Sequence, residues 1–152
     1  MHRRALLASA TAWGMALAGC SSEPTTVKPM PPPLLPGSWS PVSAELGGRF
    51  YAVGNFHNRY LEVAADLSYE FDGDRGQITL LPSALPPYKL DIQGKQGPNA
   101  GRTILASYAM ENEQMTICYQ LARGGERPSM LASPEGTQIL LIRYKRVVQL
   151  RG

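Results

Sequence analysis

Cysteine and histidine are nearly missing from this chain of 152 residues, which has two of each: Cys20, Cys118, His2 and His57. From so few, no metal-ligand spacing and no accompanied catalytic motif can be assembled. Long apolar runs are missing too, and a membrane-crossing helix needs about 20 such residues. Nor does any stretch keep a helical period long enough to make a core helix. Charge of one sign is scarce, with 15 basic against 12 acidic residues. A nucleic-acid partner, which needs a concentrated basic surface, therefore has little support.

What is present begins at the amino end. His2, Arg3 and Arg4 precede a short apolar stretch that ends in Leu17-Ala18-Gly19-Cys20, after which Ser21-Ser22-Glu23 turns abruptly polar. This tripartite pattern resembles the signal segment and lipobox of bacterial lipoproteins. The resemblance implies cleavage before Cys20 and lipidation of its sulfur, so that acyl chains tie the protein to a membrane. Residues 1–19 are then leader, and removal of Arg3 and Arg4 leaves 13 basic against 12 acidic residues. Cys118 would be the one remaining thiol, so the domain must stand on its core without a disulfide. Arg3-Arg4-Ala5-Leu6-Leu7 is also similar to a twin-arginine export motif, which leaves the export route open between that and the general one. Ser21 after the cysteine resembles an outer-membrane sorting signal. The implied address is the cell envelope, on the periplasmic face of the outer membrane or the cell surface rather than the inner membrane.

Residues 20–36 are rich in Ser, Thr and Pro, ending in Pro29-Met30-Pro31-Pro32-Pro33. Proline favours the extended polyproline II form, so this segment reads as a tether that could hold a domain on the order of 40 Å from a bilayer. Residues 37–150 form the domain.

Within the domain, short alternating runs are separated by Gly, Pro, Asn and Asp clusters, the signature of strands and turns. Strands are expected over 37–42, 49–53, 59–64, 67–72 and 77–81, the last two flanking a turn at Gly73-Asp74-Arg75-Gly76. Tyr88, Leu90 and Ile92 alternate with polar residues, as do Ile104 to Met110 and, after Glu111-Asn112-Glu113, Met115, Ile117 and Tyr119. A short strand over Pro128 to Ala132 and an apolar one over 138–146 complete the set. Eight to ten such strands predict an all-β fold, an antiparallel barrel or, as the alternative, a β-sandwich.

Leu35-Pro36-Gly37-Ser38-Trp39 with Val42-Ser43-Ala44-Glu45, Tyr88 to Ile92, Tyr108 to Cys118, Arg127-Pro128 and Lys145-Arg146 resemble, in order and spacing, a small planctomycete-type conserved domain of unknown function. Asn112-Glu113, Met130-Leu131 and Tyr144 depart from that pattern by turn or volume exchanges. The resemblance carries no catalytic residue. Gly37-Ser38-Trp39 is also similar to the G-x-W of lipocalin-like barrels, whose tryptophan plugs one end beneath a late arginine. That likeness implies a cation–π pair between Trp39 and Arg146, with Arg143 as the second choice.

Other features are weaker. His57 with Cys118 lacks an orienting third group, Asp72-Gly73-Asp74 lacks the further oxygens of a calcium loop, and Arg123, Arg127 and Arg143 to Arg146 offer a possible anionic site on charge pattern alone. No cofactor is expected. The expectation is a non-catalytic envelope lipoprotein, attached to the membrane through Cys20, whose barrel binds a small apolar ligand. The alternative is a filled barrel that serves as a structural or protein-interaction module for another envelope protein.

Overall fold

The computed structural model describes Gly19 and residues 33–56 and 60–148. Cys20, expected to be lipidated, the Arg3-Arg4 pair, most of the segment expected to be a tether and His57 lie outside the described residues. Among the described residues, no helix is long and apolar enough to cross a membrane.

Among the described residues nine strands follow one another: β1 (Gly37–Leu46), β2 (Arg49–Tyr51), β3 (Leu61–Val63), β4 (Ser68–Phe71), β5 (Asp74–Leu81), β6 (Tyr88–Gln96), β7 (Thr103–Glu111), β8 (Gln114–Gln120) and β9 (Ile139–Arg146). Every pairing is antiparallel, and β9 returns to β1 to close the sheet. β1 pairs with β9 from Trp39 to Leu46, and on its other side with β3 at Gly37–Trp39 and with β2 at Ala44–Leu46. The result is a closed eight-stranded barrel with one extra strand, consistent with the lipocalin-like form. A single continuous closed sheet replaces the β-sandwich alternative.

The period-two pattern decides what fills it. Leu90 and Ile92 of β6, Ile104, Ala106 and Tyr108 of β7, and Met115, Ile117 and Tyr119 of β8 all turn inward and are buried. Gly76 of β5 lies opposite Gly94 beside a register shift. A Cβ at Gly76 would stand 1.9 Å from the Gln93 carbonyl oxygen and 3.0 Å from the Tyr69 ring, so only glycine permits this close approach.

Several boundaries differ from the sequence expectations for physical reasons. The β4–β5 turn needs only Asp72 and Gly73, both at positive φ, so Asp74, Arg75 and Gly76 are free to join β5. Val53 ends no strand but opens a 3₁₀ turn, Val53–Asn55, closed by the Phe56 amide donating to the Val53 carbonyl.

Pro128 to Ala132 is not a strand. Its prolines flank a segment that lies across the outside of the wall, where Ser107 Oγ donates to the Pro128 carbonyl at 2.6 Å and Cys118 Sγ sits 3.7 Å from the Ala132 carbonyl. Arg127 pins this strap by donating to the carbonyls of Leu90 and Ala106 at 2.6 and 2.8 Å and pairing with Asp91 at 2.5 Å. Packing also begins ahead of β1. Leu35 is fully buried, and the Tyr108 hydroxyl donates to the Pro33 carbonyl at 3.3 Å.

Candidate functional site

The two ends of the barrel differ. At one end Trp39 and Arg146 face each other across β1 and β9. The guanidinium carbon lies 4.2 Å from the indole centroid, and Trp39 is completely buried. Trp39 Nε1 donates to the Leu35 carbonyl at 2.9 Å, while Arg146 Nη1 donates to the Pro36 carbonyl at 3.1 Å and its Nε meets Glu113 Oε2 at 2.8 Å. A Cβ at Gly37 would stand 2.7 Å from Arg146 Nη1, so the glycine clears the guanidinium's place. Arg143 instead points outward, 3.8 Å from Glu45.

The opposite end holds a cavity of about 270 Å³. Its apolar wall comes from Phe56, Phe71, Ile92, Ile104, Leu140 and Ile142. The 3₁₀ turn delivers Phe56 into this wall, where it stacks 5.0 Å from Phe71 and 5.4 Å from Tyr51. Phe71 in turn meets the edge of Tyr144 at 6.0 Å.

Polar groups enter this wall from Tyr69, Asp72, Asp74, Asn99, Arg102 and Tyr119. The hydroxyls of Tyr119 and Tyr144 bond to each other at 2.8 Å. Asp74, only 8% exposed, accepts from the Asn99 amide at 2.9 Å and from the Asn99 side chain. Arg102 donates to Asn99 Oδ1 at 3.3 Å and to the Leu121 carbonyl at 2.8 Å. The β4–β5 turn and the β6–β7 loop thus lock together at the mouth through Asp74, Asn99 and Arg102.

Tyr69 is different. It is 8% exposed and lines the cavity, yet its hydroxyl is, among the described residues, the single buried side-chain nitrogen or oxygen without a hydrogen-bond partner. The Asp74 carboxylate stands close enough to act on the phenol both through its charge and as a side-chain acceptor, though the two groups do not reach the distance and angle of a full hydrogen bond. Burial first, and the Asp74 charge second, push its phenol well above the usual tyrosine range. Burial does the same to Tyr119 and Tyr144, so all three hydroxyls keep their protons at neutral pH.

Elsewhere the chemistry-bearing residues are occupied or scattered. Burial pushes the Cys118 thiol up to about 11, on the outer face under the strap. No group of three His, Cys, Asp or Glu could hold a metal among the described residues, and Asp72-Gly73 is a turn. Arg127, Arg143 and Arg146 of the suggested anionic cluster each have an acidic partner.

Sequence reasoning missed the mouth residues Asp74, Asn99 and Arg102 and the hydroxyl of Tyr69. The inward parity of Tyr119 was visible, but nothing local marks which residues of two separate turns will meet. Comparison of the chain with protein-family models, with curated proteins and with solved structures finds no match.

Proposed function

We propose that the barrel is a non-catalytic receptor for a small, largely apolar molecule, carried by a lipid-anchored protein of the bacterial envelope. The observation that carries the reading is the cavity at the unplugged end, whose wall joins aromatic and aliphatic side chains to a polar group of Asp72, Asp74, Asn99 and Arg102. Eight-stranded barrels are just wide enough to be filled by side chains or to hold one small ligand. About 150 Å³ is enough for a benzene molecule, so 270 Å³ suits a molecule of one or two rings or a short branched chain. The anchor and the envelope address rest on Leu17 to Cys20 and Ser21, and kinship with the planctomycete-type domain rests on the motifs from Leu35 to Arg146.

A second reading, a filled barrel that works through its outer surface, has its own support. The plugged half is packed solid with Trp39, Tyr88, Tyr108 and Met115, and Phe50 on the short strand β2 is 81% exposed. Native mass spectrometry decides between the two on the full chain carrying Cys20→Ser, which cannot be lipidated. A reproducible extra mass, lost when Leu140→Trp fills the cavity, is the expected result. A mass that stays that of the bare chain, even with benzene-sized compounds added in excess, would overturn the ligand reading in favour of the surface one.

A further inference from the structure

We propose, on the reading that the cavity is a binding site, that its ligand is an uncharged molecule carrying an oxygen acceptor, and that the Tyr69 hydroxyl recognises that oxygen. A phenol has one proton to donate. In Tyr69 that proton makes no hydrogen bond of full geometry, with the Asp74 carboxylate standing beside it, although the side chain is more than nine-tenths buried in the wall of the cavity. Buried donors without a protein partner are rare in folded proteins and call for something else to meet them.

Neighbouring groups do not meet the need. Asp74 accepts through one oxygen from the Asn99 amide and through the other from the Asn99 side chain, which holds its carboxylate turned toward Asn99 and short of a full bond to Tyr69. The Tyr119–Tyr144 pair has two hydroxyl protons and one mutual bond, so this pair also keeps a proton to spare. Where Tyr144 is the donor within the pair, Tyr119, which lines the cavity, offers a second proton beside that of Tyr69, which suits a carbonyl, ether or hydroxyl oxygen.

Charge narrows the class further. A carboxylate beside Tyr69 would meet the charge of Asp74, itself 8% exposed, which repels it. Arg102 also lines the cavity, but its guanidinium already donates to Asn99 and to the Leu121 carbonyl, and Asp72 adds a second acidic residue to the lining beside Asp74. An aliphatic molecule without oxygen would leave Tyr69 unpaired. The fit is therefore an aromatic or alicyclic ketone, aldehyde or alcohol entering oxygen first.

The test uses three probes of similar size, ethylbenzene, acetophenone and benzoate, titrated calorimetrically into the full chain carrying Cys20→Ser and into the same chain with Tyr69→Phe. Tyr69→Phe should weaken acetophenone roughly tenfold, as loss of a buried hydrogen bond does, and leave ethylbenzene unchanged within about twofold. If both probes respond alike to Tyr69→Phe, the oxygen inference fails while the cavity reading stands. Benzoate binding more tightly than acetophenone would also overturn it, in favour of an anion held by Arg102. If no probe binds either protein, the cavity reading fails and takes the inference with it.

Discussion

Arg146→Ala should be among the most damaging single changes in the barrel, and the structure lets its size be worked out. Three interactions leave together. The stack on Trp39, at 4.2 Å from an indole with no exposed surface, is worth about 2 kcal/mol for a desolvated cation–π contact. The bond to the Pro36 carbonyl at 3.1 Å adds about 1 kcal/mol or slightly more because its donor is charged. The ion pair with Glu113 adds well under ~1 kcal/mol, because Glu113 is 68% exposed. Allowing for non-additivity among interactions of one side chain, the loss should be about 3 kcal/mol. Arg146→Lys should keep little of it, since an ammonium cannot present a flat face to the ring and reach Pro36 and Glu113 at once. The assay is urea denaturation followed by tryptophan fluorescence, with the midpoint and slope fitted separately. A loss below ~1 kcal/mol for Arg146→Ala, or a lysine variant equal to the wild type, would refute the plug as a source of stability.

Other consequences can be checked in the same way. Tyr69→Phe removes an unpaired buried hydroxyl and should leave stability unchanged or raise it by up to ~1 kcal/mol; a clear loss in thermal melting would mean that Tyr69 bonds to Asp74. Cys118 should react very slowly with a disulfide reagent at pH 8 and rapidly in urea, because the thiol is buried and pushed up to about 11; Arg127→Ala, which unpins the strap, should speed that reaction in the native protein. A native chain that reacts at the unfolded rate would contradict the strap. Tyr69, Tyr108, Tyr119 and Tyr144 all titrate above the ordinary tyrosine value, Tyr108 being pushed up to about 12. Their protonated forms are favoured by folding, so this contribution is whole below pH ~10 and is lost as pH rises through the folded values. Alkaline absorbance titration of the native chain should accordingly leave these four of the seven tyrosines un-ionised until it unfolds.

Much of the barrel could be read from alternation alone. Tyr88-Leu90-Ile92 and Met115-Ile117-Tyr119 show their inward faces in the sequence because a strand repeats every two residues whatever it pairs with. The turns were less legible. Gly73 to Gly76 looks like a four-residue turn, yet two residues with positive φ suffice, and Asp74 then becomes a buried acceptor at the cavity mouth. Pro128 to Ala132 has the length of a strand, but a closed barrel leaves it no edge to join, and it becomes a strap. Recognition of Trp39 and Arg146 as partners came through a resemblance, since nothing between residues 39 and 146 encodes their meeting. Asp74, Asn99 and Arg102 had no such guide, for each looks locally like an ordinary loop residue and its meaning arises only when two loops converge.

The closing ladder between β1 and β9 also bears on how fast the barrel comes apart. Every other ladder in the wall joins strands adjacent or next but one in the chain, so each closes a short loop. β1 and β9 are separated by the whole domain, and bringing them together carries the largest loop-closure entropy. That seam should therefore be sealed last on the way in and opened first on the way out. Trp39 and Arg146 sit directly opposite each other on it. Interactions absent from the transition state act on the unfolding rate rather than the folding rate. The plug is thus a latch in time as much as a source of equilibrium stability: removing it should shorten the life of the native barrel while leaving the rate at which new barrels form almost untouched.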